Sequence, residues 1–169
     1  MLFNSFIFLL FLCIVVPVFY ALKNKQSKNL FLLIASYCFY GYWDWRFCLL
    51  LAVSTIIDFS IGKLLHKTIE QKKRKLLLAL SLFANLGILC SFKYFNFFVD
   101  SFQTISENFG FKPDYLHLNI IIPVGISFYT FQTLSYTIDI YRKRLEPTNN
   151  IIDFSLFVAF FPQLVAGPI

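Results

Sequence analysis

The sequence predicts an all-α fold: a polytopic transmembrane helical bundle with about six membrane segments and one interfacial or re-entrant piece, within one membrane domain spanning residues 1–169. Three observations lead there. Hydrophobic residues make up 58% of the chain and charged residues 14%, against about 45–50% and about 25% in a soluble domain. The apolar residues come in long blocks rather than in a one-sided helical rhythm. Twelve of the 15 Lys and Arg residues fall in three of the intervals between blocks, the pattern that marks cytoplasmic loops.

The first block, Leu2–Leu22, carries no charge. At about 1.5 Å per residue it can cross a hydrocarbon core of about 30 Å. No Lys or Arg precedes it and no small-residue cleavage site follows, so it reads as a retained helix rather than a leader. Leu30–Trp43 and Phe47–Gly62 are shorter and need their aromatic ends, or a thinned bilayer, to complete a crossing. Leu76–Phe92 is the fourth span. Phe95–Gly110 alternates Phe95, Phe97, Phe98, Phe102 and Phe109 with Asn96, Asp100, Gln103 and Glu107, which suits an interfacial or re-entrant piece. Phe111–Leu118 is a polar interruption, Ile120–Ile140 the fifth span, and Pro147–Asn150 a loop. The sixth span, Phe154–Ile169, has no polar end, so a longer chain is expected.

The basic residues orient these spans. Lys23, Lys25 and Lys28 separate spans one and two; Lys63, Lys67, Lys72, Lys73, Arg74 and Lys75 separate three and four; Arg142, Lys143 and Arg144 follow span five. With six spans all three groups lie on one side, and the positive-inside rule makes it cytoplasmic. The N-terminus and the turn Trp43-Asp44-Trp45-Arg46 are then outside. The run Lys72–Lys75 could hold anionic lipid or nucleic acid, but a stop that keeps the loop in the cytoplasm accounts for it. The expected partner is the lipid bilayer, with no nucleic acid.

Few residues offer chemistry. Cys13, Cys38, Cys48 and Cys90 all sit in apolar runs without metal or redox spacing and read as small packing residues. His66 lies among lysines and His117 at the outer edge of span five, neither with a triad or metal partner nearby. Asp58 lies inside the third span, where an unpartnered carboxylate costs about 2.5–3.5 kcal/mol on insertion scales. Ser54, Asp58 and Gly62 share a helix face at four-residue spacing. A functional carboxylate is one reading; a packing face with a hydrogen-bonded Asp is the other and the favoured one. The fifth span is the most unusual: Ser127, Thr130, Gln132, Thr133, Ser135, Thr137 and Asp139 are groups that lipid tails cannot satisfy. Tyr129, Gln132 and Asp139 can share one face of it and are the candidate substrate-path residues. Plain helix packing competes, as does an Asp139–Arg142 ion pair at three-residue spacing.

Two stretches carry a resemblance. Pro123-Val124-Gly125-Ile126-Ser127-Phe128-Tyr129-Thr130-Phe131-Gln132, followed by Tyr136, Asp139, Tyr141 and Arg142, resembles a signature of the membrane-bound O-acyltransferase family. Phe160-Phe161-Pro162-Gln163-Leu164-Val165-Ala166-Gly167-Pro168-Ile169 resembles the motif that follows it there. Tyr40-Gly41-Tyr42-Trp43 and Phe92-Lys93-Tyr94-Phe95-Asn96-Phe97 are weaker matches. The pieces stand in family order, and the similar branch is the bacterial alginate O-acetyltransferase and D-alanyl transfer group. The resemblance implies the N-terminal part of an enzyme in the bacterial inner membrane. It implies an acyl thioester (acetyl-CoA or an acyl carrier) as cytoplasmic donor, an extracytoplasmic glycan hydroxyl as acceptor, and a glycan-modifying partner protein outside. No bound cofactor or metal is expected. The family's catalytic His is expected beyond Ile169, so no catalytic residue is assigned and this stretch alone is expected to be inactive. A transporter, or a non-catalytic subunit of a cell-envelope assembly, is the alternative.

Overall fold

Four short polar side chains start four of the helices. Ser5 Oγ accepts from the Phe8 N–H, Asn24 Oδ1 from Gln26, Asp44 Oδ1 from Arg46 and Asn150 Oδ1 from Ile152. Each satisfies a backbone donor that has no partner inside its helix. The computed structural model describes residues 5–42, 44–108, 123 and 125–166, without the side chains of residues 96, 100, 102–104, 107, 108, 165 and 166. His117, Trp43 and the interval 111–118 fall outside the described residues.

The elements are α1 (Phe6–Ala21), α2 (Lys25–Gly41), α3 (Trp45–Lys67), α4 (Gln71–Leu89), a π-helical turn (Cys90–Tyr94), α5 (Phe95–Asn108), α6 (Ile126–Tyr141), α7 (Ile151–Ala159) and α8 (Phe161–Ala166). Trp45–Lys67 and Gln71–Tyr94, of 23 and 24 residues, are long and apolar enough to cross a membrane. Of the six expected segments these two reach spanning length; α1, α2 and α6 hold 16, 17 and 16 residues. The sixth segment is broken. Phe160 leaves the helical region at φ −58°, ψ 111°, just ahead of Pro162, whose ring nitrogen cannot donate to a continuing helix. The mixed stretch after α4 continues from it through the π turn as one amphipathic helix, and α5 packs on that turn.

Helix α3 is the hub, packed on α2, α4, α6 and α7; α4 also packs on α6, and α2 on α1, α7 and α8. Leu51, Leu65, Phe59, Tyr129, Tyr136, Ile140, Phe154 and Val158 form the main apolar core. A smaller one joins α1, α2 and α8 through Phe11, Phe39 and Phe161, whose ring centroids lie 5.3–5.6 Å apart. Ser36 Oγ, fully buried, accepts from the Phe161 N–H and so caps the start of α8. Outward-facing apolar side chains are abundant, from Phe6 and Tyr20 on α1 to Leu76 and Phe83 on α4.

The three basic intervals meet at one end of this bundle. Arg74, buried at the start of α4, donates to the carbonyls of Leu65 and Thr68 on one side and of Ile140 and Tyr141 on the other. It lies 5.6 Å from the Tyr141 ring centroid. One guanidinium fork thus serves the carboxyl ends of both α3 and α6, where the helix dipoles favour positive charge. Arg74 therefore departs from the surface-loop role expected of all the charges in its run. At the same end Asn29 Nδ2 donates to Asp153 Oδ1 at 2.8 Å, tying the start of α2 to that of α7.

Candidate functional site: the polar helix α6 and its neighbours

Gly125 opens α6 in the left-handed region at φ 78°. A side chain there would be strained in itself, and its Cβ would stand 2.6 Å from the Leu164 carbonyl oxygen. This close approach brings the two signature stretches together: the start of α6 lies directly against α8. The other end of α6 closes with Arg144 N–H donating to Asp139 O and Lys143 N–H to Ile140 O, with Lys143 at φ 58°.

Along its inner face α6 is polar and tightly packed. Thr130, Thr133 and Thr137 are buried, with Thr137 Oγ1 3.3 Å from Asp58 Oδ1 and 3.2 Å from the Thr133 carbonyl. Asp58 is the centre of a knot among α3, α4 and α6. Ser81 Oγ donates to its Oδ1, and Asn85 Nδ2 donates to its Oδ2 at 2.8 Å. Asn85 uses its second amide hydrogen on the Ser81 carbonyl and accepts from Ser54 Oγ at 2.6 Å. Both oxygens of the buried carboxylate are thus engaged, as are both amide hydrogens and the carbonyl oxygen of Asn85. The favoured reading of Asp58, a hydrogen-bonded packing residue, matches this geometry. Gly62, on the same face, gives its missing side chain's space to Tyr136 and Ile140, which lie 3.0 and 3.1 Å from an ideal Cβ.

The three candidate path residues separate. Tyr129 is fully buried in the main core, and its hydroxyl has no partner among the described residues. Gln132 sits at the flank, where Nε2 donates to the Phe157 carbonyl at 2.8 Å and Oε1 is buried without a partner. Asp139 is half-buried on the same flank. Seven residues put Gln132 and Asp139 nearly in line, whereas Tyr129 is rotated inward by about 60–80° at roughly 100° per residue. Among the described residues the one ion pair is Lys73–Glu70, so the Asp139–Arg142 pair is not formed. The helix ends at Tyr141, with Arg142 as its cap.

Beside Gln132 lies a cavity of about 540 Å³ lined by Ser127, Phe128, Phe131, Gln132, Phe157 and Gln163. It opens between α6 and the α7–α8 break, and each signature stretch contributes one glutamine. At its rim Lys93 Nζ donates to Ser127 Oγ at 3.1 Å. No group of His, Cys, Asp and Glu able to hold a metal occurs among the described residues. His66 is exposed in the last turn of α3. Ser81, Asn85, Arg74 and Lys93 were not singled out from the sequence. Only Ser81 and Asn85 left a signal, as polar residues four apart inside an apolar run.

No family model matches the chain, and no solved structure does. Curated proteins do. The chain is 43% identical over 171 aligned residues to the probable alginate O-acetylase AlgI of Pseudomonas aeruginosa, an alignment that takes in 100% of this chain and 32% of that protein. It is 37% identical to the probable alginate O-acetylase of Pseudomonas fluorescens, over 100% of this chain and 31% of the relative. It is 33% identical to the peptidoglycan O-acetyltransferase of Helicobacter pylori, over 87% of this chain and 32% of the relative. The chain spans about a third of the length of the curated relatives it matches. With its two signature stretches packed against each other, and with relatives named as alginate O-acetylases aligned along its whole length, the chain belongs to the membrane-bound O-acyltransferase family.

Proposed function

We propose that this chain is part of an O-acyltransferase that moves an acyl group, acetyl by the relatives' names, from a thioester at the cytoplasmic face to a hydroxyl of an extracytoplasmic glycan. The observation that carries the reading is the alignment of the entire chain with a probable alginate O-acetylase, and of 87% of it with a peptidoglycan O-acetyltransferase. The polar interior of α6 supports it, because a helix in lipid gains nothing from buried threonines and a glutamine unless they shape an interior. In such a transfer the acceptor oxygen bonds to the acyl carbon, the C–S bond breaks, and the hydroxyl proton passes through a base to the departing thiolate. An uncharged alcohol attacks a thioester poorly without that base. Exposed His66 has no acidic partner among the described residues, and in this reading the base is a His outside this stretch, which by itself is then inactive. Gln132 and Asp139 line the flank facing the substrate path, and Tyr129 backs it from the core.

The protein is a multi-pass protein of the bacterial cytoplasmic membrane. The end of the bundle that carries the basic intervals faces the cytoplasm, the N-terminus is outside, and an extracytoplasmic glycan-modifying protein works with it. Deleting the gene and quantifying base-labile acetyl esters on the cell's envelope glycans tests the activity. The esters fall and return with the gene restored; unchanged esters after deletion would refute the reading.

A further inference from the structure

We propose that the hydrogen-bond knot around Asp58 is a registry lock: it fixes how α6 is turned and slid against α3 and α4. The residues of the knot are then positioning residues for the flank that carries Gln132 and Asp139. Only that second step rests on the acyltransferase reading.

Stability does not account for the knot. Ser54, Asp58, Ser81, Asn85 and Thr137 are all buried where three helices meet. A carboxylate placed within a span is costly, and neutral donors offset only part of that cost. A well-packed apolar set would hold the same helices at least as firmly. What the polar set adds is direction. Apolar contact is non-directional, and the core side chains of these helices, among them Leu51, Phe59, Leu65, Leu89 and Ile140, tolerate small turns and slides. A hydrogen bond weakens steeply once donor and acceptor leave their line.

The bonds are distributed as a lock requires. Helix α3 supplies the carboxylate. Helix α4 supplies Ser81 to its Oδ1 and Asn85 to its Oδ2, while Ser54 of α3 donates to Asn85 Oδ1. Helix α6 supplies Thr137, whose Oγ1 is 3.3 Å from Asp58 Oδ1. Gly62, one turn further along α3, makes room for Tyr136 and Ile140, so α6 comes close enough for that contact. At the end of α6, Arg74 grips the Ile140 and Tyr141 carbonyls. Every residue presents a carbonyl, so this grip holds the helix end without reading which side chains face inward. Thr137 does read it. At about 100° per residue, Gln132 and Asp139 lie about 140–160° round the helix from Thr137. Any turn of the inner face therefore turns the flank by the same angle.

The test uses the intact protein in nanodiscs, its native cysteines replaced. Spin labels sit on cysteines introduced by Leu80→Cys on α4 and Ser135→Cys on α6, both exposed positions. Double electron–electron resonance is expected to give one narrow distance. Thr137→Val keeps the side chain's shape and leaves both Asp58 oxygens bonded, by Ser81 and Asn85, so the protein still inserts and accumulates. In it the distance distribution broadens or splits. In cells carrying the same variant, acetyl esters on the envelope glycans fall roughly fivefold, the worth of about one buried hydrogen bond. Thr137→Ser, which retains the hydroxyl, restores the narrow distance and the esters. A Thr137→Val distribution as narrow as the parent's and at the same distance overturns the proposal, whatever the esters do. A broadened distribution with wild-type esters would overturn the positioning role and leave the lock. No esters from the unaltered protein, with the labels behaving as expected, would refute the acyltransferase reading alone.

Discussion

The Cα of Gly125 lies so close to the Leu164 carbonyl that a Cβ added to it would stand 2.6 Å from the oxygen. Thirty-nine positions of chain separate the two residues, yet this contact sets the distance between α6 and α8. The cavity beside Gln132 is lined from the same two helices, by Ser127, Phe128, Phe131 and Gln132 of α6 and Gln163 of α8, together with Phe157 of α7.

Gly125→Ala is therefore expected to force α6 and α8 apart. The left-handed backbone alone costs about 1–2 kcal/mol for a residue with a Cβ, and the collision with a backbone oxygen adds to it. Gly87→Ala is the control. Nothing lies within 4 Å of a Cβ at that position, and alanine in a helix interior is worth about 0.5–1 kcal/mol over glycine. Thermal unfolding in detergent should show the first variant well below wild type and the second at or above it. The opposite order would show that the α6–α8 contact does not govern stability.

The Asp58 knot makes a second prediction. Asn85→Leu keeps the γ-branched shape, with more volume, but strands Asp58 Oδ2 and the Ser54 hydroxyl, both buried. Stranding a buried polar group costs about 1–3 kcal/mol. Ser54→Ala removes a single donor and should cost less. Equal unfolding temperatures for wild type and Asn85→Leu would mean that the knot is idle.

Arg74 gives a third. Its planar fork reaches carbonyls on two helix ends at once, and a lysine ammonium, a point charge with three donors, cannot span both. Arg74→Lys should lower the unfolding temperature although the charge is kept. Full stability in Arg74→Lys would reduce the residue to a dipole partner.

Orientation is checked by cysteine labelling in intact cells, in a background without the native Cys13, Cys38, Cys48 and Cys90. A cysteine in place of Lys73 should stay unlabelled by an impermeant reagent added outside and should react after the cells are opened. Labelling from outside would invert the proposed topology.

Much of this was legible in the sequence, and the rest was not for identifiable reasons. Apolar blocks mark where α1, α3 and α4 run. They set the start of α2 at Leu30, however, because the lysines before it look like loop, whereas the Asn24 cap starts the helix at Lys25. Spacing by four places Ser54, Asp58 and Gly62 on one face. It says nothing of Ser81, Asn85 and Thr137, which reach Asp58 from 23, 27 and 79 positions away. Arg74 reads like the lysines around it because its burial depends on the ends of two other helices. The Asp139–Arg142 spacing permits an ion pair that the structure does not form. Gln132 and Gln163 stand out within their stretches, but that they share one cavity is a fact of tertiary packing.

The central claim is that the outer flank of α6 shapes a substrate path and is more than packing surface. It is tested most directly by acetyl esters on the envelope glycan of cells carrying Gln132→Leu or Asp139→Asn in the intact protein, compared with wild type at matched membrane abundance. The first removes a polar function from the flank and the second a carboxylate, each while nearly retaining bulk. The account predicts at least an about tenfold loss of esters in each, corresponding to about 1.4 kcal/mol of lost transition-state stabilisation. Wild-type esters at normal abundance in both variants would contradict it.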